Sequence, residues 1–476
     1  MRVLLFTVGS EGDVRPFVAL AGRLRAEGHD PVLAAPALYQ GLAAAVGVAF
    51  EPLDLDMTEV GRAVAGRHGL RHLLTFARAM GERAGGTLPA AVAAATAHGP
   101  VDLVVHHPVV PIGQHLAELL GVPAVVAALA PALVPTRQFP SPAWPGPARL
   151  PALLNRPSYR AARYLAGAWC RRDIDAWRRA DLGLGRRPGR HDPLSDPSVT
   201  VLHAFSPLVV PRPADWPATA HITGYWFTAN DPAWSPPRRL AGFLEAGDPP
   251  VYLGFGSMPV DSPAALAGAV TMTARQTGAR FIVHSLNPEL TRRLGGHGGQ
   301  ILTVRQVPHT WLFPQTAAVV HHGGAGTAAA AVAAGRPQVI WPFGVDQHFW
   351  ASRMIGLGVA VPAPPVRADR NPAGRGGGAR RRRPARQRPG PGSRDSGPGR
   401  RRPRPGRRAP RATAPRQRGG GGRMMVEVPL PPGIERRCID ARVAARFPRL
   451  RPAGDPAYRT PGFTLRGLDR LPLTLG

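Results

Sequence analysis

Short apolar runs alternate with amphipathic stretches from the first residues to about position 366. Arg2–Val8 (RVLLFTV) reads as a buried strand. Phe17–Arg25 then repeats apolar residues at 17, 18, 20, 21 and 24, one face of a helix, before Gly28-His29-Asp30 ends it and Pro31–Ala35 gives the next strand. The rhythm continues. Gly47–Leu55 reads as a strand and loop, Asp102–His106, Ala124–Leu129 and Val199–Phe205 as strands, with a helix over Gly113–Leu120 and amphipathic helices within 60–98; Ala220–Phe227 carries the HITGYWF run before the linker. Tyr159–Ala180 reads as a helix whose aromatics at 159, 164, 169 and 177 serve core packing. After a Pro/Asp/Trp-rich stretch without period, the same logic returns. Val251–Phe255, Arg280–Ser285, Ile301–Val304, Ala317–Val320 and Gln338–Trp341 read as strands, and Ala264–Gln276 and Ala328–Ala334 as helices. Strand–helix–strand alternation is the signature of doubly wound parallel sheets, so the fold class is α/β with two Rossmann-like domains. The boundaries are 1–225, a linker at 226–240, and 241–366, with a low-complexity basic tail over 367–476.

In such sheets ligands bind beyond the carboxyl ends of the strands, so the loops there hold the candidate chemistry. The most informative is His321-His322-Gly323-Gly324-Ala325-Gly326-Thr327. Its glycines permit a sharp turn and a close backbone approach, and the Ala-rich helix that follows presents free N–H groups and a positive dipole end. A diphosphate suits that spot, with Gly324 and Gly326 in the turn and His321 and Thr327 as side-chain donors. Ser257, in the turn after Val251–Phe255, can bond a phosphate oxygen. Asp346 and Gln347, after the Gln338–Trp341 strand, offer a carboxylate and an amide to sugar hydroxyls.

In the first half, Gly9-Ser10-Glu11-Gly12-Asp13 follows the first strand. Spacing alone makes Asp13 a helix-capping acid. A cleft carboxylate can equally take the proton of an attacking hydroxyl. His106 and His107 close a strand and can line the same cleft, as wall, core or catalytic groups. Asp54-Leu55-Asp56 has a metal-binding spacing but falls on an exposed loop of the other half, so no metal site is expected. The irregular, Pro-rich 131–157 stretch, with Phe139 and Trp144, suits the wall of a pocket for a bulky apolar molecule.

Taken together, His321–Thr327 and Pro342–Trp350 resemble the nucleotide-sugar site of GT-B glycosyltransferases of family 1. The nearest branch is the one that glycosylates antibiotics, macrolides and sterols. The resemblance spans roughly 1–366, and the GS-x-GD-V-x-P-F loop at 9–17 and Thr223-Gly224-Tyr225-Trp226 share it. It implies two domains facing a cleft, a UDP- or TDP-sugar donor, a lipophilic small-molecule acceptor, and no cofactor. Asp13 would be the general base, with Ser10 and His106 on the acceptor side. The stretch around Gln306 and Val307 would hold the nucleotide base; relatives in plants carry Trp just before that Gln, where this chain has Arg305. The resemblance also implies helices after residue 366, the last crossing back to the first domain. The Pro- and Gly-broken tail cannot form them. A sugar-nucleotide epimerase of the same fold is the alternative enzyme, but it has no need of an acceptor loop or of an Asp13-type base.

Composition alters this picture only at the carboxyl end. The chain has 476 residues, a formal charge of +30, two cysteines (Cys170 and Cys438) and no lysine. Two cysteines exclude a disulfide framework. No apolar run reaches a membrane span and no signal-peptide pattern opens the chain, so a cytoplasmic location is expected. Residues 367–423 hold 20 arginines against two acids, while 1–366 carries only +8. A nucleic-acid reading therefore rests on the tail alone, as non-specific contact, and 367–423 has no aromatic residue for base stacking. An Arg/Pro/Gly run in a lysine-free chain is what a shifted reading frame in a GC-rich gene yields; the alternative is a disordered basic tail. Resequencing the gene across codon 366 separates the two.

Overall fold

The computed structural model describes residues 1–53, 97–108, 112–144, 149–167, 178–180, 182–184, 199–228, 234–256, 262–295, 299–344 and 346–363, with positions 75, 78, 79 and 93. Asp54, Asp56, Ser257, Trp169, Trp177, most of 60–98 and everything after Ala363 lie outside the described residues.

The first half runs β1 (Arg2–Phe6), α1 (Glu11–Ala26), β2 (Asp30–Pro36), α2 (Gln40–Ala45), β3 (Ala49–Leu53), β4 (Leu103–His106), α3 (Ile112–Leu120), β5 (Ala124–Ala128), α4 (Ala152–Gly167), β6 (Thr200–His203) and β7 (Ala220–Ile222). The second runs α5 (Arg238–Glu245), β8 (Val251–Gly254), α6 (Pro263–Thr277), β9 (Phe281–His284), α7 (Pro288–Leu294), β10 (Ile301–Val304) and the short α8 (His309–Leu312). It ends with β11 (Ala318–His321), α9 (Ala325–Ala333), β12 (Gln338–Ile340), α10 (Gln347–Gly356) and β13 (Ala360–Pro362). These strands form two sheets, ordered β3-β2-β1-β4-β5-β6-β7 and β10-β9-β8-β11-β12-β13. Every pairing is parallel, with Phe6 beside His106 and His321 beside Gly254. Each order reverses once, between β1 and β4 and between β8 and β11. A crevice opens at such a reversal because the flanking helices leave in opposite directions.

The apolar strands predicted from sequence are buried on both faces, as parallel sheets require. Leu5, Phe6, Phe281 and Ile282 are fully enclosed. Differences from the sequence reading have local causes. Within Ala220–Phe227, strand β7 ends at Ile222; Gly224 takes φ +79° and Trp226 lies edge-on to Phe17, 6.4 Å between ring centres. Helix α4 begins at Ala152, inside the stretch read as irregular, and carries Pro157 within it. Its Tyr159 is fully buried, whereas Tyr164, expected in the core, is 67% exposed. Helix α7 starts where the Asn287 Oδ1 accepts the Glu289 and Leu290 N–H groups at 2.9 and 3.1 Å.

One apolar cluster draws on both halves. Val126, Ala128, Phe205 and Val209 from the first pack with Ala328, Ile340, Trp350 and Met354 from the second. Trp350 meets Phe205 edge-on at 5.8 Å, and Arg353 Nε donates to the Val209 carbonyl at 3.0 Å. Among the described residues no helix is long and apolar enough to cross a membrane. Truncating the fully buried Trp350 to Ala removes the largest side chain of the shared cluster. It should cost about 3–5 kcal/mol of unfolding free energy, read by urea denaturation, and Trp350→Phe clearly less.

Candidate active site

The loop after β1 is built around Asp13. Gly9 adopts φ +128°, a conformation glycine accepts, and a Cβ there would lie 2.3 Å from Asp13 Oδ2. Ser10 opens α1 in extended geometry. Asp13 Oδ2 accepts both the Ser10 N–H (2.8 Å) and the Ser10 hydroxyl (3.0 Å). The capping role that spacing assigns to Asp13 is thus present, but it uses one oxygen only. The other, Oδ1, lies 3.8 Å from His107 Nε2, and the Asp13 side chain is 35% exposed against 6% for His107. Capping and openness to the cleft coexist on one carboxylate. Ser10 is engaged as the cap partner.

The two strand-end histidines, both read as able to line the cleft, take different surroundings. His106 is completely buried, its Nδ1 lies 3.2 Å from the His107 carbonyl, and its Cβ would collide with any side chain at Gly113 of α3. An acceptor-side position for His106 is therefore corrected: its ring faces α3. His107 is the one beside Asp13 and Phe17. Burial depresses the His107 pKa, while the Asp13 charge opposes that shift, so its ring is held neutral. Successive residues at a strand end point to opposite sides, and a pair of adjacent histidines does not say which faces the cleft.

Across the second reversal, β11 runs into the glycine turn. Gly323 has φ +88°, and a Cβ on it would meet Ile340 and the Gln347 carbonyl. Gly324 is the N-cap of α9 without a side-chain cap, so the N–H groups of the first turn, over Ala325, Gly326 and Thr327, have no partner within the helix. Gly326 is exposed and a Cβ there would meet nothing within 4 Å. This is an anion site in geometry. His321, expected as a phosphate donor, is corrected to a scaffold role. Its Nδ1 accepts the Gly323 N–H at 3.1 Å, its Nε2 pairs with Gln338 Oε1 at 2.9 Å, and it is fully buried. Burial, ahead of the neighbouring His322, drops its pKa to about 3. It pins the turn and cannot reach out of it.

His322 is the residue the sequence reading passed over. Its ring fills the space between two turns, where a Cβ on Gly324 would come within 2.5 Å and one on Gly256 within 3.2 Å. It bonds the Gly254 carbonyl, while its Nδ1 is buried without a hydrogen-bond partner. Burial brings its pKa down to about 4. The result is a neutral imidazole packed between the two turns with one nitrogen unsatisfied.

Asp346 and Gln347 open α10. Asp346 Oδ2 accepts the Trp350 indole N–H at 3.0 Å. Burial, and then the charge of Asp13, raise the Asp346 pKa to about 6, against the offset of the Trp350 bond. Gln347 Oε1 accepts the Phe343 and Gly344 N–H groups at 2.8 and 3.3 Å, so only its amide nitrogen is left for a ligand. Gln306 is exposed and Val307 partly so, in the loop after β10 beside exposed Arg305. Ser257 is outside the described residues.

Comparisons with known proteins bear on the family and the fold. The profile of the glycosyltransferase family 28 N-terminal domain matches residues 3–136, and that of the erythromycin biosynthesis protein CIII-like C-terminal domain matches 276–373. O-mycaminosyltylonolide 6-deoxyallosyltransferase of Streptomyces fradiae is 36% identical over 391 residues, covering 78% of this chain and 87% of its own. Sterol 3-beta-glucosyltransferase of Emericella nidulans is 33% identical over 374 residues, 76% of this chain; the chain spans only 26% of that longer protein. Among solved structures, the glycosyltransferase SnogD from Streptomyces nogalater superposes at a TM-score of 0.54 with 22% identity, over 76% of this chain and 87% of its own. VinC in complex with DTDP gives 0.51 and 19%, over 76% and 86%. These two speak to the fold.

A raised carboxyl pKa means that ionising Asp346 opposes folding. Its stabilising protonated form is complete below its ordinary value of 3.8 and is lost as pH climbs through about 6. Asp346→Asn, which keeps an acceptor for Trp350, should abolish that decline. Thermal melts of both proteins should diverge between about pH 4 and 6 and run parallel above it.

Proposed function

Because the chain belongs to the GT-B glycosyltransferases of family 1, we propose that it moves a sugar from a UDP- or TDP-sugar to a hydroxyl of a lipophilic acceptor, with inversion. The observation that supports this reading is the placement of the two loops, each at the point where its sheet order reverses, in halves that pack together through the cluster around Trp350. The loop after β1 carries a partly exposed carboxylate, one oxygen held by Ser10, and the loop after β11 carries the glycine turn at α9. The acceptors named for the relatives, a macrolide and sterols, support a bulky apolar alcohol.

The donor diphosphate lies on the first turn of α9, on the N–H groups that Gly324 leaves free, with His322 beside it. Charge grows on the leaving diphosphate as the C1–O bond breaks, so fixed donors there favour the transition state over the ground state. The helix terminus alone is worth about 0.3–2 kcal/mol to an anion. No metal or further cofactor is required by this scheme. Asp346 and the Gln347 amide nitrogen orient the sugar, and Gln306 and Val307 border the nucleotide base. The acceptor oxygen attacks C1 from the side opposite the diphosphate. The O–C1 bond forms, the C1–O pair leaves with the diphosphate, and the acceptor proton passes to Asp13 Oδ1. The buried His107 lies 3.8 Å from that oxygen. An α-linked donor thus yields a β-glycoside.

The test gives the full chain UDP- and TDP-sugars with sterol and macrolactone acceptors and follows product by mass. Asp13→Asn should lower turnover by about 10²–10⁴-fold while leaving nucleotide affinity within about twofold. A loss below about tenfold would remove Asp13 from the chemistry. Sugar epimerised without any acceptor would favour the epimerase reading instead.

A further inference from the structure

Helix α4 is built the wrong way round for a helix that only packs. Its inward positions are Asn155, Ser158, Tyr159 and Ala162. Its outward positions include Leu153, Leu154 and Tyr164, which are 77%, 42% and 67% exposed. Leu153, Arg156, Pro157, Arg160 and Tyr164 fall on one side at helical spacing, all exposed. The 16-residue helix carries three arginines and no acid. Arg163 turns inward to the Leu133 carbonyl, and Arg156 meets Asp215 only at 3.6 Å, so Arg156 and Arg160 bracket the apolar tips. Exposed leucine and tyrosine among arginines, on a helix without a negative charge, match an anionic lipid interface. There apolar side chains enter the acyl boundary and guanidinium groups meet headgroup phosphates.

The inward face has its own task. Asn155 Nδ2 donates to the Arg137 carbonyl at 2.7 Å, and Ser158 Oγ accepts the Ser141 N–H at 2.8 Å. Those bonds tie α4 to the loop leaving β5, and that loop's Phe139 packs on Phe349 of α10 at 5.2 Å. The helix therefore holds, by its inward face, the loop whose Phe139 reaches α10.

We propose that the outward face of α4 docks the protein on an anionic lipid surface, from which a membrane-resident acceptor enters along the 131–143 loop. The acceptor part rests on the transferase reading above; the docking part does not. Residues 367–423 also carry +18, so bulk retention on vesicles says nothing about α4 and a local probe is needed. The full chain, with Cys170 and Cys438 replaced by Ser, carries a polarity-sensitive fluorophore at Leu153→Cys, or at Glu27→Cys just past α1 as the control. Vesicles are phosphatidylcholine with about a third phosphatidylserine. The label at 153 should shift to the blue and that at 27 should not. Adding Leu154→Asp, Tyr164→Asp, Arg156→Glu and Arg160→Glu should weaken the response at 153 by at least about tenfold. Equal responses at both positions, or none at 153, would overturn the proposal. So would a blue shift that rises with protein concentration without vesicles, which would make the face a contact between copies of this chain. The readout involves no sugar transfer, so failure of the transferase assay and failure of docking are separate results.

Discussion

The active cleft depends on one piece of packing: the apolar cluster that joins the two sheets around Trp350. Phe205 and Val209 from the first half close on Trp350 and Met354 from the second, and Arg353 locks the Val209 carbonyl. Trp350 is also the residue whose indole holds Asp346. A single buried side chain thus sets both the approach of the halves and the direction of the donor-side acid. Reactive groups on separate sheets act together only if their spacing is fixed to a fraction of an ångström, and close-packed apolar contact supplies that stiffness.

Within that frame each half commits a residue to scaffolding so that its neighbour can face the cleft. His321 gives both ring nitrogens to the turn and the adjacent strand, and His322 keeps one nitrogen unsatisfied. His106 packs on α3 while His107 stands by Asp13. Asp13 caps its helix with one oxygen and has the other 3.8 Å from His107. Gly9, Gly113, Gly323 and Gly324 are needed because a Cβ at any of them would strike one of these groups or the turn they shape. Burial keeps the histidines neutral, so the site has little fixed positive charge before the donor arrives and relies on oriented N–H groups.

Much of this was legible in the chain. Apolar runs of four to seven residues separated by helical periods can be satisfied only by parallel strands covered on both faces, and the order of those runs places their loops at the carboxyl ends. Glycines followed at once by an Ala-rich helix announce an anion turn, since few other backbones leave so many N–H groups free. The glycine spacing within His321–Thr327 could not say which histidine works there, and the capping signal at Asp13 could not exclude a second use. The first turns of α4 escaped because Asn155 and Ser158 on its buried side and Leu153 and Leu154 on its exposed side blur the apolar stripe on which helix reading rests.

What the sequence alone determined was the class of fold, the two crevices, and the residue types brought to them, because strand period, glycine geometry and helix termini are local properties. The tertiary structure alone decided the partners. It put His107 beside Asp13 and buried His106, gave both ring nitrogens of His321 to the scaffold, and committed the Gln347 oxygen to its own loop. Those choices follow from which neighbours desolvate and bond each group, and neighbours distant in the chain leave no trace in local pattern.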